Sequence, residues 1–143
     1  EGIEQTSTFT GRVPHDEVAG LMAASDVFVL ASEVEAGGTV LAEAQALGLA
    51  CVATPTWAGR FMVEPETGVV LPAAAQRDDD ALVASLTEAL AQVTDSIRAG
   101  GYLPEAIRAR ARQRFGEATF VTACRELYEQ ACNAITGSAE STQ

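Results

Sequence analysis

The chain has 143 residues, nine arginines, no lysine, twenty acidic side chains and a net charge of -11, enough for one domain and too little for two. Apolar residues make up 48% of it, but only in short runs, which argues against a transmembrane segment, and no charged-then-apolar leader opens it. So acidic a surface repels phosphate backbones, so nucleic acid is not an expected partner and a soluble, cytoplasmic protein is.

In chain order, Ser7 to Thr10 is a short strand candidate ending at Gly11. Pro14 to Ala24 carries Val18, Leu21 and Met22 at helical spacing, with the single histidine, His15, as a first-turn surface residue. Val27-Phe28-Val29-Leu30 is a continuous run of the kind buried on both faces of a parallel sheet, and Thr39 to Leu47 reads as a helix stopped by Gly48. Cys51 to Ala53 is a further short strand, Thr54 to Pro65 reads as a loop rich in Gly, Pro and Thr, and Gly68 to Leu71 is a last strand closed by Pro72. Strand alternating with helix predicts an α/β fold with a Rossmann-like parallel sheet, the strands at Val27, Cys51 and Gly68 lying side by side.

Helices follow. Asp78 to Asp80 supply a cap and first-turn charge for a helix whose Leu82, Val83, Leu86, Leu90 and Val93 share a face. Pro104 suits the first position of a second, and Gly116 precedes a long amphipathic one carrying Phe120, Cys124, Leu127, Tyr128 and Ala131. The arginines at 108, 110, 112 and 114 point several ways on a helix and read as a solvated face. Residues 137–143 are small and polar, a disordered tail to a domain spanning 1–136. The three cysteines have no zinc-ligand spacing and read as buried, reduced thiols.

The chemistry sits between Ser32 and Glu43, where the chain leaves a strand, passes two glycines and enters a helix. In open parallel sheets, ligands bind outside the carboxyl ends of the strands, and a glycine-lined helix start offers backbone N–H groups to an anion. Gly37, Gly38 and Thr39 can thus cradle a phosphate, with carboxylates from Glu35 and Glu43 near either end to accept from hydroxyls. A nucleotide sugar fits that pattern; a tight turn with two solvated glutamates fits it too.

Phe9 to Pro72 resembles the donor-binding half of the family 4 glycosyltransferases, which have the GT-B fold. Phe9 to Val13 is similar to that family's strand and base-contacting turn, and Ala24 to Ser32 to its strand ending in Pro-Ser, with Ala31 replacing the proline. Glu35 and Glu43 match its E-x7-E pair, Ala58-Gly59 its later Gly-Gly turn and Glu66 to Pro72 its last strand, while Arg60-Phe61-Met62 departs from its apolar-Pro-Glu pattern. The resemblance implies a metal-independent, cofactor-free, retaining transfer of a hexose-type sugar from a nucleoside diphosphate sugar. Glu35 then holds the sugar as the catalytic contact, Glu43 holds the ribose, Gly11 and Val13 meet the base, and Gly37, Gly38 and Thr39 meet the diphosphate.

The family's donor domain opens with two further strand-helix units bearing an arginine and a lysine that grip the diphosphate, and a separate N-terminal domain binds the acceptor. Neither is in these residues, so the resemblance implies part of a longer enzyme, inactive alone. The alternative is a non-catalytic remnant or interaction module of the same fold. Arg12 and Arg60 are the cations expected near the crevice, either as substitutes for the missing pair or as solvent-facing loop residues, and Trp57 stands in the following loop for stacking or packing.

Overall fold

The computed structural model describes Ile3 and residues 5–140, with side chains through Asn133. At its centre is a parallel sheet of β1 (Val27–Leu30), β2 (Ala50–Ala53) and β3 (Gly68–Val70), in that order across the sheet. Val27 aligns with Ala50, and Val52 with Val69. Each connection carries a helix, α2 (Thr39–Ala46) and then α3 (Trp57–Met62), because a parallel neighbour requires a crossover that returns the chain to the same end.

All four β2 residues are buried, and their period of two divides the core. Cys51 and Ala53 face Leu41 and Ala44 of α2, Met62 of α3 and Met22 of α1 (His15–Ala23). Ala50 and Val52 face Leu71, Ala89 and Val93, the last two from α4 (Asp79–Arg98). Burial pushes the Cys51 thiol up to about 12. Gly68 is required by close approach: an added Cβ would overlap the Cys51 carbonyl oxygen. A short 3-10 turn, Ala73–Gln76, joins β3 to α4, whose first turn is capped by Asp78 accepting from the Ala81 N–H at 2.8 Å.

Several expectations need correction. Ser7 to Thr10 is not a strand, and Phe9 is 90% exposed; an isolated extended segment gains nothing without a neighbour to share its hydrogen bonds. β1 is an edge strand, half-buried rather than covered on both faces, with Val29 exposed. The expected loop from Thr54 contains α3, whose first turn is capped by the Thr56 hydroxyl accepting from the Gly59 N–H at 3.1 Å. Val83 is exposed on α4, and Ala89 is buried instead. Cys124 is half-buried and Cys132 exposed, so only Cys51 is a core thiol.

Of the four arginines expected on a solvated face, Arg112 is exposed but the other three are tied into the fold. On α5 (Pro104–Phe115), Arg108 donates to the Leu47 carbonyl oxygen at the end of α2 at 2.9 Å. Arg114 donates to the carbonyl oxygens of Phe61 and Met62 at the end of α3, at 2.6 and 3.0 Å. Arg110 grips Glu64 with two bonds of 2.6 and 2.9 Å. Helix C-terminal carbonyls lack intrahelical donors, and guanidinium groups supply them here. Finally, α6 spans Glu117–Glu140 and its Phe120, Leu127 and Tyr128 are exposed; of the expected tail at 137–143, residues 141–143 lie outside the described residues. No helix among the described residues is long and apolar enough to cross a membrane.

Two outcomes follow from this packing. Gly68→Ala should lower stability by about 1–3 kcal/mol through overpacking against a backbone that cannot move aside, measured by urea unfolding. The Arg110 guanidinium holds the Glu64 carboxyl below the usual carboxylate range. That contribution is complete above the unfolded value of about 4.3 and disappears as pH falls through the lowered folded value. The stability gap between wild type and Glu64→Gln should therefore be constant from pH 7 down to about 4.3 and close below it.

Candidate functional site

The carboxyl ends of the three strands lie along one edge of the sheet, and the chain leaving β1 there turns into α2. The Thr54 hydroxyl, one residue beyond β2, donates to the Ser32 carbonyl oxygen at 2.5 Å and holds this segment against the sheet. Three residues later the Glu35 carboxylate folds back. Its Oε1 accepts from the backbone N–H groups of Gly37 at 3.1 Å and Gly38 at 3.0 Å.

Glu35 thus occupies the position in which an anion was expected. Gly38 is the cap residue of α2, in the left-handed region at φ 63°, and has no side chain to cap with, so Glu35 satisfies the start of the helix from outside. Gly38 is also held by packing: a Cβ there would lie 2.7 Å from the Ala58 Cβ on α3. The Ala58 N–H donates to the Glu35 carbonyl oxygen at 3.2 Å, so the starts of α2 and α3 are stitched together through Glu35.

Glu35, Gly37 and Gly38 therefore form one hydrogen-bonded cluster, with Thr39 exposed beside it. Glu43 is placed differently. Half-buried on α2, it borders a groove of about 390 Å³ between α2 and α5, with Arg108, Arg112 and Phe115 on the opposite wall. Gly11, at φ 64°, and Val13 lie in the segment leading into α1 and are not members of the Glu35 cluster.

Of the expected cations, Arg12 is exposed and the Nε of Arg60 donates to the Pro55 carbonyl oxygen at 2.9 Å. Sequence reasoning missed Arg77. It borders a cavity of about 380 Å³ outside the ends of β1 and β2, together with Ser32, Thr54, Gln76 and Asp79. Its signal was a basic side chain immediately before the Asp78 cap, a position that a turn out of β3 returns to the same edge.

Trp57 begins α3 and is 64% exposed, and Phe61, one turn on, is 54% exposed. Their rings stack with centroids 5.0 Å apart and planes 11° from parallel. The Arg114 guanidinium lies 5.7 Å from the Phe61 centroid and 4.8 Å from that of Phe115.

Comparison with known proteins bears on this edge. The model of a family described as Glycosyl transferases group 1 matches residues 1–114. The solved structure of sucrose-phosphate synthase from Thermosynechococcus elongatus is similar over 92% of this chain, with a TM-score of 0.67 and 28% identity, and this chain spans 32% of that one. No curated protein matches the sequence.

Glu35→Ala removes both bonds to the start of α2 and should cost about 0.5–2 kcal/mol, the range for losing a helix cap, with Glu35→Gln in between. Urea unfolding of the three proteins checks the order.

Proposed function

The chain belongs to the group 1 glycosyl transferases and has the α/β architecture of the C-terminal domain of their GT-B fold, and from that premise we propose that it is the nucleotide-sugar-binding portion of a retaining enzyme that transfers a hexose-type sugar. The observation that carries this reading is the carboxylate of Glu35 seated on the Gly37 and Gly38 amides, at the carboxyl edge of a parallel sheet. Amides that hold one anion can hold another.

On this reading, diphosphate oxygens take the amides of Gly37 and Gly38, and the displaced Glu35 carboxylate accepts a hydroxyl of the sugar. Glu43, on the same helix, takes the ribose hydroxyls, while the Gly11 to Val13 segment meets the base and Thr39 the diphosphate. Charge developing on the departing diphosphate is met by the start of α2 and by basic side chains, for which Arg12, Arg60 and Arg77 are the local candidates; the reading invokes neither metal nor cofactor. The acceptor is held by a separate N-terminal domain, and the setting is cytoplasmic.

A non-catalytic module of the same fold is favoured by two features. Glu35 already fills the amides, and the -11 charge opposes a dianionic diphosphate. A helix start contributes only about 0.3 to 2 kcal/mol to holding an anion, while each basic side chain of the family's gripping pair would add about 1.5 to 3.

Three measurements test the proposal. Calorimetry of this chain with uridine, guanosine and adenosine diphosphate sugars should show binding weaker than micromolar and no transfer; micromolar binding would mean that local arginines have taken over the phosphate grip. In a full-length enzyme containing this domain, Glu35→Gln should cut transfer while sparing nucleoside diphosphate binding. Glu43→Ala should weaken that binding by about 1.5 to 3 kcal/mol, the value of a charge-assisted hydrogen bond. Unchanged turnover in Glu35→Gln would remove the sugar contact from the mechanism.

A further inference from the structure

The stacked pair on α3 has one ring face committed and one open. Phe61 covers one side of the Trp57 indole, and Phe61 is itself backed by the Arg114 guanidinium, whose position is fixed by the carbonyl oxygens of Phe61 and Met62. The indole is therefore braced although most of its surface meets water. Leaving so large a ring exposed forgoes the burial that usually fixes an aromatic side chain.

Its location narrows the occupant. Trp57 immediately precedes Ala58, whose N–H is bonded to the Glu35 carbonyl oxygen, so its backbone adjoins the junction between Glu35 and the start of α3. A flat, water-exposed apolar face on the residue next to that junction suits a ligand with an apolar face of its own and polar groups on its rim. A pyranose ring has that chemistry: its C–H bonds present an apolar face, and its hydroxyls point outward. A protein partner needs about 800 Å² on each side, far more than one indole and its neighbour offer.

We propose that Trp57 is a stacking platform for a pyranose ring, with Phe61 and Arg114 as its brace. The ring belongs either to the transferred hexose or to the acceptor. The proposal rests on the glycosyl-transfer reading above, and it assigns to Trp57 a binding contact, with no part in bond making.

Trp57 is the single tryptophan of the chain, so its indole N–H gives one resonance in a nitrogen-15 spectrum. The full chain is titrated separately with a methyl glucopyranoside at up to tens of millimolar, a nucleoside diphosphate hexose, and the nucleoside diphosphate without the hexose, while the Gly37 and Gly38 amides are followed in parallel. An indole shift with the free pyranoside supports an acceptor-type ring, and a shift only with the hexose-bearing nucleotide supports the donor's ring. Trp57→Ala should weaken the dissociation constant of whichever ligand acts by about tenfold, the scale of one lost stacking face, and Trp57→Phe should restore most of it.

An indole silent in every arm overturns the proposal, as does an equal shift with the hexose-free nucleotide, which would make a base the occupant. Glycine amides that respond to nucleotide beside a silent indole would sink the platform and leave the donor reading standing. The reverse pattern, a pyranoside-sensitive indole beside silent amides, would sink the donor reading and leave the platform.

Discussion

The architecture depends on β2 being narrow. A strand buried on both faces between two helical layers admits only what those layers leave room for, and Ala50, Cys51, Val52 and Ala53 are all small or medium in size. Its approach to β3 is closer still, close enough that position 68 has no space for a side chain. This compactness keeps the crossovers short. The loop leaving β1 and the first turn of α3 consequently end at one edge of the sheet, near enough for Thr54 to bond Ser32 and for Ala58 to bond Glu35.

The arginines of α5 complete that arrangement from the other end. Arg108 and Arg114 satisfy the carbonyl ends of α2 and α3, where the helix dipoles are negative, and Arg110 ties the following turn through Glu64. Both helices are thereby fixed at their C-termini, with their positive starts held together at Glu35. Three of the nine arginines are engaged in this internal bracing, away from the start of α2.

What was legible in the sequence was what depends on local pattern. The runs at Val27, Cys51 and Gly68 became strands because their apolar character and the crossovers between them leave few alternatives, and Asp78 and Pro104 marked helix starts through the chemistry of a single turn. Ser7 to Thr10 had the composition of a strand but no neighbour. α3 was hidden because a six-residue helix with a glycine inside it has no periodicity to detect, although Thr56 three residues before Gly59 was a capping signal. The arginine contacts span 46 to 61 residues of sequence, beyond any pattern along the chain. At the site, the Glu35 and double-glycine cluster was found as a unit, but its internal pairing was not: an ionised side chain two residues from a free amide competes with any external anion for it.

Among the described residues β1 has no strand on its outer side, which bears on how these 143 residues behave among their own kind when taken alone. Val27-Phe28-Val29-Leu30 presents backbone donors and acceptors along an edge with no lysine, proline or bulge to blunt it, the usual guards against strand-to-strand association. Colloidal stability is then left to the long-range repulsion of the -11 charge. That repulsion reaches about 10 Å at 0.1 M salt and about 3 Å at 1 M. Ionic strength therefore governs whether two such edges come within bonding distance, and this domain should be handled dilute in salt, not merely dilute in protein.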